Sequence, residues 1–115
     1  MKLIVDMNEI EIFDQRRQAR AAKHRVDVGL LNLHQKAVNA LLDPVSGEQA
    51  RQMALRQIEK WQRGNLCNPR YIQAWLAILS LPAASMRMAM LRDDTEGISL
   101  RQNSPFGFLV GKAAQ

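Results

Sequence analysis

Three observations predict a small all-α bundle of four to five helices. Apolar residues recur at three- and four-residue steps over several separate stretches. Helix-stopping and helix-starting signals divide those stretches from one another. Only residues 2–7 show any two-residue alternation, and one short strand would have no partner to pair with.

The elements follow in order. Leu3, Val5 and Met7 alternate with Lys2, Ile4 and Asp6, which reads as a short extended N-terminal arm. Ile10 and Phe13 already have helical spacing, so a helix opens near Asn8. From Glu9 to Leu42 there is no proline and Gly29 is the only glycine. Val26, Leu30, Leu33, Ala37 and Leu41 form a stripe, widened by Leu31, Val38 and Leu42. Asp43-Pro44 stops it. The upstream piece, Asp14 to Arg25, has only alanines on its faces; it is helical by propensity and buries little.

Ser46 stands as the N-cap of a second helix, with Glu48 in its first turn. Ala50, Met53, Ala54, Ile58 and Trp61 line one side, and Arg63-Gly64-Asn65 is a C-cap signal. Asn68 and Pro69 open a third helix through Ile72, Trp75, Leu76 and Leu79. Ser80-Leu81-Pro82 restarts the pattern for a fourth, with Met86, Met90 and Leu91 on its stripe. Asp93-Asp94-Thr95 ends that helix, and Thr95 caps a last short turn to about Gln102. The expected core holds Leu30, Leu33, Leu41, Met53, Ile58, Trp61, Ile72, Trp75, Leu79 and Met90.

A chain of 115 residues fits a single domain, 1–115. Within it, 1–45 carry the arm and long helix, 46–106 a compact helical module and 107–115 a tail. No apolar run approaches the roughly 18 to 20 residues that span a bilayer, and the first residues lack a signal-peptide pattern. The expectation is a soluble cytoplasmic protein with no membrane partner. One cysteine excludes an internal disulfide framework.

Chemistry is sparsely represented. His24 and His34 point roughly 80° apart on one helix and have no ligating companions, so no metal is expected. Cys67 before a helix N-terminus would favour a thiolate, yet a lone cysteine between Leu66 and Asn68 reads as a small buried hydrophobe. Neither phosphate-binding nor dinucleotide-binding glycine patterns occur. No catalytic residue and no cofactor is assigned, and the chain reads as a non-enzyme.

The formal net charge of +5 is unevenly distributed. Asp6, Glu9, Glu11 and Asp14 come first with no base among them; Arg16, Arg17, Arg20, Lys23 and Arg25 follow with no acid before Asp27. This order suits the helix dipole. Arg16, Arg20 and Lys23 share a face, flanked by Arg17 and Arg25, and such a row could neutralise phosphates of DNA or RNA. No aromatic residue is interleaved for base stacking, and basic patches are common on solvated helices, so a solvated face matched to the dipole is the simpler reading.

Ile58, Trp61, Gly64, Pro69 and Leu79 resemble the back half of repressor-type helix-turn-helix domains. The front half is missing, because Gln52-Met53-Ala54-Leu55 is continuous helix where a tight turn should fall. Trp61 and Trp75 then read as core aromatics. Met88 faces away from the stripe of Met86 and Met90 and marks a candidate contact surface.

The C-terminal part is more distinctive. Trp61-x-x-Gly64, Cys67, Tyr71-Ile72, Trp75, Ile78-Leu79, Pro82, Leu91, Gly97 and then Leu100-Arg101-Gln102-Asn103-Ser104-Pro105-Phe106 occur in that order. Residues 58–106 thereby resemble a group of small uncharacterised bacterial helical proteins that share a Trp-rich helical pair and a terminal Leu-Arg-Gln-(Ser/Asn/Thr)-Ser-Pro-Phe. These often neighbour toxin-like partners, so the resemblance implies an antitoxin or accessory role; it leaves the first 45 residues unexplained. In physical terms, the Arg101 fork suits a carboxylate or helix C-terminal carbonyls. Asn103 and Ser104 suit a turn, proline holds Ser104 extended, and Phe106 supplies apolar area. The segment is either a clasp closing the bundle or a docking peptide in which Arg101, Gln102, Asn103, Ser104 and Phe106 join Met88 in binding a partner.

Two functions are therefore expected as alternatives. One is an antitoxin-like interaction or regulatory protein whose long N-terminal helix reaches a protein partner or a second copy. The other is a nucleic-acid-binding regulator acting through Arg16, Arg17, Arg20, Lys23 and Arg25.

Overall fold

The structure, a computed structural model, describes residues 2–110, with side chains from Asn8 onward. Five α-helices follow one another: α1 Lys2–Leu42, α2 Gly47–Gly64, α3 Pro69–Leu79, α4 Ala83–Met90 and α5 Thr95–Gln102, closed by a 3-10 turn over Gly107–Leu109. No strand occurs among the described residues. The extended arm expected over residues 2–7 is replaced by helix, since α1 begins at Lys2. A lone strand would leave its peptide groups unpaired, whereas a helix bonds them internally.

At 1.5 Å per residue the 41 residues of α1 measure about 60 Å. They set the long axis of a molecule whose extents are 68 × 30 × 28 Å. Its radius of gyration, 18.7 Å, far exceeds the roughly 13 Å of a compact chain this long. The excess comes from the first half of α1. Every residue from Asn8 to Val26 is exposed, and burial begins only at Asp27 and Leu30. The remainder of α1 packs against α2, α4 and α5 to form a helical base, in which α3 closes on α2, α4 and α5.

The caps are mostly as the sequence suggests, with two corrections. Asn68 accepts the Arg70 backbone N–H at 2.9 Å and Pro69 opens α3. Asn65 takes the left-handed conformation (φ 56°) that terminates α2. Ser46, however, offers α2 no side-chain bond. Asp43 organises that turn instead, accepting the N–H groups of Val45 at 2.8 Å and Ser46 at 3.0 Å. Thr95 is not the cap of α5. Asp94 is, with its carboxylate accepting Gly97 N–H at 2.8 Å, because the carboxylate can reach back over the first turn from one residue earlier.

The core gathers Val38, Ile58, Ile72, Trp75, Met90, Leu100 and Phe106 around the small residues Ala37 and Ala54. Of the expected core, Ile58, Ile72, Trp75, Leu79 and Met90 are buried, while Leu30, Leu33, Leu41, Met53 and Trp61 are only half-buried. The alanines explain the difference. Small side chains let helix backbones approach, so the contact line runs over Ala37, Ala50 and Ala54 and the larger residues flank it.

Candidate functional site

Two regions carry the functional argument: the C-terminal segment on the base and the exposed half of α1. The C-terminal segment is built on His34. Its Nδ1 lies 2.7 Å from the Leu30 carbonyl one turn back, and its Nε2 lies 2.7 Å from Ser104 Oγ. A carbonyl only accepts, so Nδ1 carries the proton and Nε2 receives the Ser104 hydroxyl proton. Ser104 Oγ in turn accepts the Phe106 backbone N–H at 3.1 Å. Burial lowers the pKa of His34 below 6.5; the Leu30 carbonyl opposes this in part, and the positive charge of Arg101 adds a smaller lowering. His34 is therefore a neutral hub.

Around it the aromatic side chains interlock. The His34 ring stacks on Trp75 at 5.7 Å, and Phe106 meets both edge-on, at 5.7 Å from His34 and 5.5 Å from Trp75. The Trp75 indole N–H donates to the Asn103 carbonyl at 2.7 Å, and Asn103 Nδ2 donates to the Ser99 carbonyl at 2.9 Å. Arg101 directs its guanidinium inward, donating to the carbonyls of Met90 at 3.1 Å and Arg92 at 2.8 Å. Of the two acceptors that its fork suits, it takes helix C-terminal carbonyls. No buried polar side-chain atom among the described residues lacks a partner.

The segment Leu100–Phe106 is thus a clasp within the chain. Arg101 (4% exposed) and Phe106 (0%) present almost nothing to a partner. Asn103 and Ser104 are half-buried and engaged, leaving Gln102 exposed with a long 3.5 Å contact to Asp27. Met88 is 73% exposed on α4, away from the clasp residues in the interior.

The second region is the projecting half of α1. Arg16, Arg17, Arg20, Lys23 and Arg25 are all exposed, as the sequence suggests. Arg17 pairs with Asp14 at 2.7 Å. The same stretch also exposes Ile10 (60%), Ile12, Phe13 (59%) and Val28. At its foot lies an open groove of about 210 Å³, lined by His24, Asp27, Val28, Leu31, Ile98 and Arg101. The two histidines are far apart in environment, one exposed and one buried, and no group of three or more His, Cys, Asp or Glu among the described residues could hold a metal ion. No described helix is long and apolar enough to cross a membrane.

Two functional features escape a reading of spacing alone. His34 continues the stripe, four residues after Leu30 and three before Ala37, but a polar residue is not counted among core positions. The outward apolar residues of α1 are interrupted by charges and spread around the helix: Ile10 and Val28 share one side with Phe13 about 60° away, while Ile12 lies on the opposite side. No protein-family model, curated protein or solved structure matches the chain.

Proposed function

We propose that this chain is a non-enzymatic interaction or regulatory protein, antitoxin-like in form. A clasped helical base presents the projecting half of α1 to a protein partner or to a second copy. One observation supports this above the others: the nineteen consecutive residues Asn8–Val26 are all exposed, Ile10 and Phe13 among them. A solitary helix of that length is marginal in water, and large apolar side chains on it gain stability only when covered. Partner binding through this half would order it and bury those side chains together. The clasp residues Arg101, Asn103, Ser104 and Phe106 then serve to hold the base, and Met88 and Gln102 remain the exposed members of the C-terminal set.

Hydrogen exchange on the dilute full-length chain tests the reading. Amides of residues 8–26 should exchange far faster than those of α2 and α3. Strong protection of that stretch in a strictly monomeric sample would show that it needs no partner, and would end the proposal.

A second reading is favoured by the exposure of Arg16, Arg20 and Lys23 on one face: regulation through DNA or RNA. The double variant Arg16→Glu/Arg20→Glu separates the two. It should abolish salt-dependent retardation of a labelled duplex under the nucleic-acid reading and leave a protein complex largely intact under the first.

A further inference from the structure

Along the projecting half of α1, Ile10, Asp14, Arg17, Ala21, His24, Val28 and Leu31 succeed one another at alternating four- and three-residue steps. That is the spacing of a two-helix seam. Ile10, Asp14, Arg17 and Ala21 lie roughly 100–160° around the helix from His34, outside the face packed on the base; from His24 to Leu31 the line runs into the groove that α1 forms with Ile98 and Arg101. All but Leu31, which is half-buried, are exposed.

The charges along this helix are ordered: Glu9, Glu11 and Asp14 precede Arg16, Arg17, Arg20, Lys23 and Arg25. A parallel pairing of two copies would set Asp14 on Asp14 and Arg17 on Arg17. An antiparallel pairing with its two-fold axis between Gln15 and Arg16 does the opposite. It places Asp14 of each copy on Arg17 of the other, Ile10 on Ala21, and Phe13 beside Arg20, whose guanidinium can rest on the ring. Within this pairing the stretch from residue 8 to residue 23 is about 24 Å long, and all of its residues are exposed; the two bases lie at opposite ends of it.

Resting on the interaction reading above, we propose that the occupant of this seam is a second copy of the same chain, paired antiparallel, with the two Asp14–Arg17 layers fixing orientation and register. Charged layers at the centre of a seam, here flanked on each side by an Ile10–Ala21 layer, are a known way to specify pairing at some cost in affinity. The intrahelical Asp14–Arg17 pair at 2.7 Å keeps both side chains on this line and ready to be shared.

Sedimentation of the full-length chain over a range of concentrations provides the test, with hydrogen exchange beside it. Wild type should dimerise reversibly, more weakly at high salt. Asp14→Arg alone and Arg17→Asp alone should each weaken self-association by about tenfold or more, because two symmetry-related attractions become repulsions. An equimolar mixture of the two variants should recover it as a heterodimer. For orientation, Ile10→Cys and Ala21→Cys proteins, each also carrying Cys67→Ser, should cross-link to each other in preference to themselves. Preferential self-cross-linking would overturn the antiparallel arrangement, and wild type remaining monomeric throughout would overturn self-pairing. In that monomer, rapid exchange of residues 8–26 would leave the interaction reading standing, whereas slow exchange would remove both. A monomer that retards duplex in a salt-dependent way would give the seam's helix to nucleic acid and likewise overturn the proposal.

Discussion

Replacing Phe106 by alanine tests whether the clasp is part of the core. Phe106 is fully buried, follows an equally buried Pro105, and touches His34 and Trp75 edge-on. Truncating a buried phenylalanine costs about 3–5 kcal/mol through lost transfer energy and residual cavity. The two aromatic contacts, each worth about 0.5–1.5 kcal/mol beyond area, place this site toward the upper end. Single domains have only about 5–15 kcal/mol to lose, so the variant should be close to unfolding in mild urea. Urea titration at pH 7.5, followed by the emission of buried Trp75 and by circular dichroism, measures the loss. Phe106→Leu keeps most of the volume and should lose much less. If Phe106→Ala costs under about 1 kcal/mol, the C-terminal segment contributes little to the core and the clasp argument is wrong.

Four further outcomes rest on the same structure. Because burial holds His34 neutral when folded, only the unfolded chain gains its proton as pH drops below 6.5. Stability should be full above that pH and decline below it toward the lower folded value, at up to about 1.4 kcal/mol per pH unit; urea midpoints from pH 7.5 to 5 should show this slope, and His34→Gln should flatten it. Arg101→Met leaves the Met90 and Arg92 carbonyls without their donor and should cost about 2–3 kcal/mol, with Arg101→Lys a poor rescue because an ammonium cannot reproduce the planar fork. Gly29→Ala meets nothing within 4 Å and should raise helicity, gaining about 0.5–1 kcal/mol, while Gly97→Ala drives its methyl into the Arg92 backbone carbonyl and should lower the melting temperature.

How much of this was legible in the sequence depends on the range of the signal. Cap and proline signals are local, and they locate α2 to α5 to within a residue or two. Burial depends on which neighbours arrive, so periodicity found the stripe of α1 but misjudged which of its members lie deepest. Ala37 and Ala54 stand on the apolar faces but are too small to be ranked among the core residues, yet they lie where the helices touch. The role of the segment Leu100–Phe106 was undecidable from its own composition, since the same donors and the same phenylalanine serve a clasp or a docking peptide. Its partner, His34, lies 70 residues away, a distance over which no spacing rule operates. The exposed half of α1 was the reverse case: its poverty of core positions was readable from alanine and arginine alone.

The bond between His34 and Ser104 has a bearing on how the protein comes into being. A nascent chain forms helical turns early, but the stacked rings of His34 and Trp75 stay open to solvent until the Ser-Pro-Phe sequence emerges and folds back over them. Without that sequence the Trp75 indole would lose the Phe106 ring set edge-on to it and be left open to water. The last-made segment is thus what seals the core that the first helix opens.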